Sequence, residues 1–321
     1  MNRAPLISVV VICYNQEKTI GRALDSILAQ KTKYPFEIII GEDASPGDNT
    51  RAVCEEYAQR YPEVISLLPQ TANKGLLKNY SDCLDQCQGE YIATCTGDDW
   101  WHNPEKLQLQ VSFLQDHPEY GVVHTEADIY DTILDKTHRP IRPRNCPEGD
   151  VLEKMFTLNF IYAISALFRR SLLQHANYQD WIKQKFVAED HAMWLAFGPH
   201  TLFHYMPVST ITYSSSLESA SRSASLPKRL AFIKGICRIQ MYFHEAQKTV
   251  SPSKEKLISF QRKWLIHEIL VKRDYSQLKA YHAPFIIRIA PFPYYVITRI
   301  IAKIKATLII LAKGKTSIEF M

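Results

Sequence analysis

Glu90-Tyr91-Ile92-Ala93-Thr94-Cys95-Thr96-Gly97-Asp98-Asp99-Trp100-Trp101-His102-Asn103-Pro104 begins as a short apolar strand and ends on two adjacent carboxylates. A helix start follows at once, with Asn103 placed to cap it and Pro104 at the first helical position. In a parallel sheet, ligands sit at the C-terminal ends of the strands. Hard divalent cations take carboxylate oxygens and share their coordination with phosphates. Asp98 and Asp99 therefore read as a metal-assisted site for a phosphorylated ligand. Taken alone, the pair is explained at least as well by a turn that merely ends a strand. The rest of the chain weighs against that.

Upstream, Leu6 to Cys13 is a continuous apolar, β-branched run, the pattern of a strand buried on both faces. Tyr14-Asn15-Gln16 ends it. Ile20, Ala23, Leu24, Ile27 and Leu28 then repeat at helical spacing. Phe36 to Ile40 is a second strand, closed by Gly41-Glu42-Asp43-Ala44-Ser45. Asp48-Asn49-Thr50 caps a helix to about Tyr61, and Val64 to Leu68 is a third strand. Asn73-Lys74-Gly75 is a turn before a helix from about Leu77 to Cys87. Downstream, Pro104 to His117 is a helix and Gly121 to Ala127 a strand. Strands and helices alternate with short connections, so the expected architecture is a doubly wound, mostly parallel α/β sheet. Tyr14, Asn15, Glu42, Asp43, Asn73, Asp98 and Asp99 all fall at strand ends and converge on one edge, as a nucleotide crevice requires. No GxGxxG or GxxxxGK[ST] follows the first strand, which argues against a dinucleotide or P-loop site.

Tyr130 to Asp150 reads as irregular, either a loop over the site or a solvated surface loop. Val151 to Leu158 is expected as a helix, and Tyr162 to Phe168 as a strand. Glu189-Asp190 fit the first turn of a helix, where the dipole favours carboxylates whether or not they do chemistry. Leu202 to Met206 and Thr210 to Tyr213 read as short strands, and Ser214 to Ser225 as a serine-rich linker or phosphate-facing loop. Lys228 to Gln247 and Ser253 to Lys272 are two amphipathic helices. The expected division is residues 1–225 as the α/β domain and 226–321 as a helical region with a basic, amphipathic tail. No acidic residue lies between Tyr275 and Ile318. Residues 285–315 are expected either on an anionic membrane surface or packed on the chain's own domain.

At 321 residues and 46% hydrophobic, the chain can bury a sizeable core. A net charge of +5 is too small to imply nucleic acid. The seven cysteines are scattered, with no zinc-like CxxC pair, and read as reduced packing residues. No signal-peptide pattern precedes the first strand. The expected location is the cytoplasm, or the cytoplasmic face of the inner membrane as a peripheral protein.

Several pieces, in order and spacing, resemble the family 2 glycosyltransferases of the GT-A fold over roughly Pro5 to Ser225. They are Ser8 to Asn15, Gly41 to Ser45, Asn73-Lys74-Gly75, Gly89 to Ala93 with Gly97 to Trp101, and Glu189-Asp190 with Trp194-Leu195. The resemblance implies inverting transfer from a nucleoside diphosphate sugar, most often UDP-linked, to a glycan or lipid-linked acceptor in bacterial surface polysaccharide synthesis. It implies that Tyr14, Glu42 and Asp43 hold the base and that Asn15 and Asn73 line the nucleotide site. On the same resemblance Asp98 would face the ribose or sugar, and Asp99 would hold Mn2+ or Mg2+. Asp190 is the general base with Glu189 beside it, and His191 points elsewhere. Two positions depart from the family pattern. Thr96 stands where the first carboxylate of Asp-x-Asp-Asp is common, and Ser214 where a basic residue is usual, with Arg222 as a substitute. The rivals are a nucleotidyltransferase, which would carry a Gly-rich basic loop where Tyr14-Asn15-Gln16-Glu17 stands, and a non-catalytic sugar-nucleotide-binding subunit.

Overall fold

A computed structural model describes residues 4–139, 146–216, 225–247 and 251–271. The chain runs β1 (Ile7–Cys13), α1 (Glu17–Leu28), β2 (Phe36–Glu42), α2 (Thr50–Arg60), β3 (Ile65–Leu67), α3 (Leu76–Gln86), β4 (Tyr91–Thr96) and α4 (Lys106–Asp116). It continues as β5 (Tyr120–Asp131), β6 (Lys136–His138), α5 (Leu152–Met155), β7 (Leu167–Arg169), α6 (Tyr178–Lys183), α7 (Glu189–Phe197), β8 (Leu202–Ser215), α8 (Leu226–Ala246) and α9 (Lys254–Val271). The sheet order is β3-β2-β1-β4-β7-β5-β6, with β8 beside β5.

All seven residues of β1 are buried, as expected of a central strand that is apolar but for Ser8, whose hydroxyl donates to Glu37 at 2.6 Å. It lies parallel to β2 and β4, with Cys13 opposite Glu42 and Ile12 opposite Thr96. The chain therefore leaves β1, β2 and β4 at one edge. On α1, Ile20, Ala23, Leu24 and Ile27 form the buried stripe. Leu107, Val111 and Leu114 of α4 join them in the core beside the sheet. The sheet is mixed beyond β4: β7 lies antiparallel to both β4 and β5, while β5 and β8 are parallel.

Four expectations are corrected. The strand read at Tyr162 to Phe168 is a 3-10 turn, Ala163–Ser165, followed by the short β7. The helix at Val151 to Leu158 is the single turn of α5. The strands at 202–206 and 210–213 are one strand, β8, with register shifts between Thr125/Glu126 and Glu126/Ala127. Pro207 has no N–H to donate to a ladder, and a bulge is where a strand tolerates it. Tyr130 to Asp150 is not irregular throughout, because β5 continues to Asp131 and folds back as β6. Asp131 Oδ1 closes that turn by accepting N–H bonds from Ile133 and Leu134, both at 2.9 Å.

The chain divides into two compact units, residues 1–263 and 264–321. Helix α8 belongs to the first. Phe243 meets Trp181 of α6 edge-on at 5.8 Å, and Gln247 donates to the Leu195 carbonyl of α7 at 2.9 Å. Among the described residues no helix is long and apolar enough to cross a membrane. The expected amphipathic tail at 285–315, Arg222 and the prolines at 140 and 143 lie outside the described residues. None of the seven cysteines, all among the described residues, is in a disulfide.

Candidate active site

The turn leaving β1 is stapled to the turn leaving β2. Asn15 takes a left-handed φ of 52°, which asparagine tolerates better than most residues. Its N–H donates to Ser45 Oγ at 2.9 Å, and its Oδ1 accepts from the Gly47 N–H at 3.3 Å. Glu42 is fully buried: Oε1 accepts the Ser45 N–H at 2.7 Å, and Oε2 lies 3.9 Å from Arg51 Nη1. Asp43 is also buried, and its carboxylate accepts the N–H groups of Lys74 at 2.7 Å and Gly75 at 2.9 Å. The Asn73 amide donates to the Asp43 carbonyl at 3.2 Å. Asp43 thus builds the 73–75 turn, where Gly75 has a φ of 82°.

These turns enclose a cleft of about 260 Å³ whose lining includes Ile12, Tyr14, Gln16, Asp43, Asn73, Leu76, Asn79, Thr96 and Asp98. Of the residues the sequence singled out, the structure brings Tyr14, Asp43, Asn73 and Asp98 together on this lining. Asn15 and Glu42 adjoin it and hold its turns. Asp99 is 2% exposed and is not part of the lining.

The acid pair sits where β4 ends. Asp99 is held from two sides: Thr96 Oγ1 donates to Oδ2 at 2.5 Å, and the Ser214 N–H donates to Oδ1 at 2.6 Å. Ser214 Oγ donates to the Asp98 carbonyl at 2.5 Å. Arg22 Nη2 donates to that carbonyl as well, at 3.2 Å, and its guanidinium stacks on the Trp100 ring at 3.6 Å. Burial raises the pKa of Asp98. Burial and then the charge of Asp98 raise that of Asp99, against the donors and Arg22. Arg22 offsets part of this cost, and a divalent cation would relieve the rest. No group of three or more His, Cys, Asp or Glu side chains is poised for a metal among the described residues. Two carboxylates suffice for an ion that completes its coordination with phosphate oxygens and water, so the residues fit Mg2+ or Mn2+ shared with a diphosphate.

The second acidic pair opens α7, off the lining of the cleft. Asp190 Oδ2 accepts from the Asn159 amide at 2.9 Å, and Oδ1 from the His191 N–H at 2.7 Å. Burial raises its pKa. Burial and the neighbouring Asp190 push Glu189 up to about 8. His191 is buried with Nε2 at 2.9 Å from the Met155 carbonyl and faces the protein interior. Sequence reasoning missed Gln16, Arg22, Asn79 and Asn159. None lies in a motif, and each reaches the site through the fold.

A mixed, mostly parallel sheet with acid pairs at the end of β4 and at the start of α7 is the arrangement of a GT-A class protein. The chain belongs to glycosyl transferase family 2, whose pattern it matches over residues 8–176. An uncharacterised protein of Mycobacterium tuberculosis H37Rv is 41% identical over 166 residues, 51% of this chain and 47% of that one. The amylovoran biosynthesis glycosyltransferase AmsE of Erwinia amylovora is 32% identical over 116 residues, 36% of this chain and 42% of that one. The match thus spans about half the length of these curated relatives. A mannosyltransferase of Pyrobaculum calidifontis, solved with GDP-Man and Mn2+, shares the fold at 18% identity and a TM-score of 0.55. That match covers 98% of this chain and 87% of that one.

Proposed function

We propose that this chain transfers a sugar, with inversion, from a nucleoside diphosphate sugar to a hydroxyl of a glycan or lipid-linked acceptor during surface polysaccharide synthesis. The observation that carries the reading is the cleft lined by Tyr14, Asp43, Asn73 and Asp98, at the edge where β1, β2 and β4 end. Membership of family 2 and the relative named for amylovoran biosynthesis support it. We take residues 1–225 as the transferase portion and 226–321 as a helical region that carries the basic tail.

In this reading Tyr14 stacks on the base. Asp43 and Asn73 shape the wall it meets, with Asn15 and Glu42 holding the turns behind it. Asp99 would hold the divalent ion, with Asp98 beside it toward the ribose or sugar, and the ion would offset negative charge on the leaving diphosphate. Asp190 accepts the proton of the acceptor hydroxyl as that oxygen attacks the anomeric carbon from the face opposite the diphosphate. Glu189, whose pKa burial and the neighbouring Asp190 push up to about 8, would orient the acceptor beside Asp190. Asn159 and the His191 N–H hold Asp190 in place. The donor is read as UDP-linked from the family resemblance, although the solved mannosyltransferase carries GDP-Man.

The test presents purified protein with UDP- and GDP-sugars, with and without Mn2+, and follows nucleoside diphosphate release. NMR of the released sugar, taken before its anomers equilibrate, reports the stereochemistry. Metal-dependent release of the opposite anomer is expected. Binding without turnover in the wild-type protein would instead establish the non-catalytic subunit.

A further inference from the structure

The two positions that depart from the family pattern, Thr96 and Ser214, lie far apart in the chain and meet on one carboxylate. Thr96 Oγ1 donates to Asp99 Oδ2 and the Ser214 N–H to Asp99 Oδ1, at 2.5 and 2.6 Å. The Ser214 hydroxyl ties down the Asp98 carbonyl at 2.5 Å. Each Asp99 oxygen thus receives a donor. The side chain is 2% exposed, so its torsions are fixed by contacts on both sides. Its neighbour Asp98 remains half-buried on the cleft lining.

We propose that Thr96 and Ser214 are positioning residues that lock the Asp99 carboxylate against Asp98 and thereby set the affinity of the pair for a divalent cation. This rests on the reading of Asp98 and Asp99 as the cation site. The physical reason is the kind of donor used. Arg22 bonds the Asp98 carbonyl rather than the Asp99 carboxylate, whereas an arginine or lysine bonded to Asp99 itself would put a positive charge where the ion must sit. A hydroxyl and a backbone N–H hold the acid by hydrogen bonds and leave its negative charge in place. An aspartate at position 96 would add a third carboxylate beside the pair and remove the donor to Asp99 Oδ2. Threonine contributes a donor there instead of a charge. Donors behind a ligating group are known to tune metal affinity through its orientation. The donor from Ser214 is a backbone N–H, so the end of β8 must be in register for the lock to form.

The test titrates Mn2+ into the full chain in the presence of UDP, with GDP in a parallel series, and reads free Mn2+ by electron paramagnetic resonance. Thr96→Val keeps the shape and removes the donor, and is expected to weaken Mn2+ binding by ~10-fold. Thr96→Ser keeps a hydroxyl and is expected to restore wild-type affinity, which a purely steric role for the threonine would not require. Ser214→Ala keeps the N–H bond to Asp99 and is expected to weaken binding less than Thr96→Val. Wild-type affinity in Thr96→Val overturns the proposal while leaving the cation site standing. Loss of affinity in both Thr96→Val and Thr96→Ser also overturns it. Absence of Mn2+ binding by the wild-type protein with either nucleotide removes the cation site itself, and the proposal with it.

Discussion

Asp190 combines burial with two fixed donors, and those two facts decide what its replacement does. Burial makes it a stronger base than an exposed carboxylate, while Asn159 and the His191 N–H keep it in one orientation. Asp190→Asn preserves size and removes basicity. Turnover is expected to fall by ~10²–10⁴-fold with donor affinity retained, as measured by paired kinetics and calorimetry. Glu189 makes a separate prediction about stability. Its ordinary pKa of 4.5 is pushed up to about 8 in the folded protein. Between those values the folded chain holds a proton that the unfolded chain has released, so stability is lost as pH rises through the window. Glu189→Gln has no proton to release, and its melting temperature is expected to fall less from pH 5 to pH 8 than that of the wild-type protein, by an amount on the order of the single-group linkage. Equal slopes would show that Glu189 is not held protonated. At this scale the acids were legible because they sit at strand and helix ends. Asn159 and Arg22 were not, because a single polar residue gives no sign in the sequence of the side chain it will meet.

At the scale of the element, the turn after β4 depends on the absence of a side chain. A Cβ on Gly97 would lie 2.5 Å from Gln16 Oε1 and 2.7 Å from Cys13 Cβ. Gln16 can shift, but Cys13 ends the central strand and cannot do so cheaply. Gly97→Ala is expected to destabilise the protein by about 1–3 kcal/mol and to weaken nucleotide binding, both checked on the same purified variant. The parallel half of the sheet was readable because β1, β2 and β4 are buried runs bounded by turn residues. The antiparallel half was less so. The β5–β6 turn, Thr132 to Asp135, contains neither glycine nor proline and lacks the usual hairpin signal. Asp131 supplies the turn by accepting two backbone N–H groups. Strand β7 has only three residues, too few for period-two alternation to register. Pro207 made β8 look like two strands, whereas the bulge absorbs it without ending the ladder.

At the scale of the whole molecule, the basic, acid-free stretch in the C-terminal part of the chain leads to a prediction about partners. We propose that residues 285–315 bind an anionic membrane surface and so bring the cleft to a lipid-linked acceptor. Deleting residues 285–321 is expected to abolish sedimentation with anionic liposomes and to spare nucleotide binding. Unchanged sedimentation would assign the stretch to packing on the protein itself. We propose the edge shared by β1, β2 and β4 as a cation-dependent nucleotide-sugar site. Calorimetric titration of UDP- and GDP-sugars into wild-type, Asp98→Ala and Asp99→Ala protein, each with and without Mn2+, tests it most directly. Binding by the wild-type protein is expected to require Mn2+ and to be lost in both variants. Binding that is indifferent to Mn2+ and to both substitutions, or no binding to any sugar nucleotide, would contradict it.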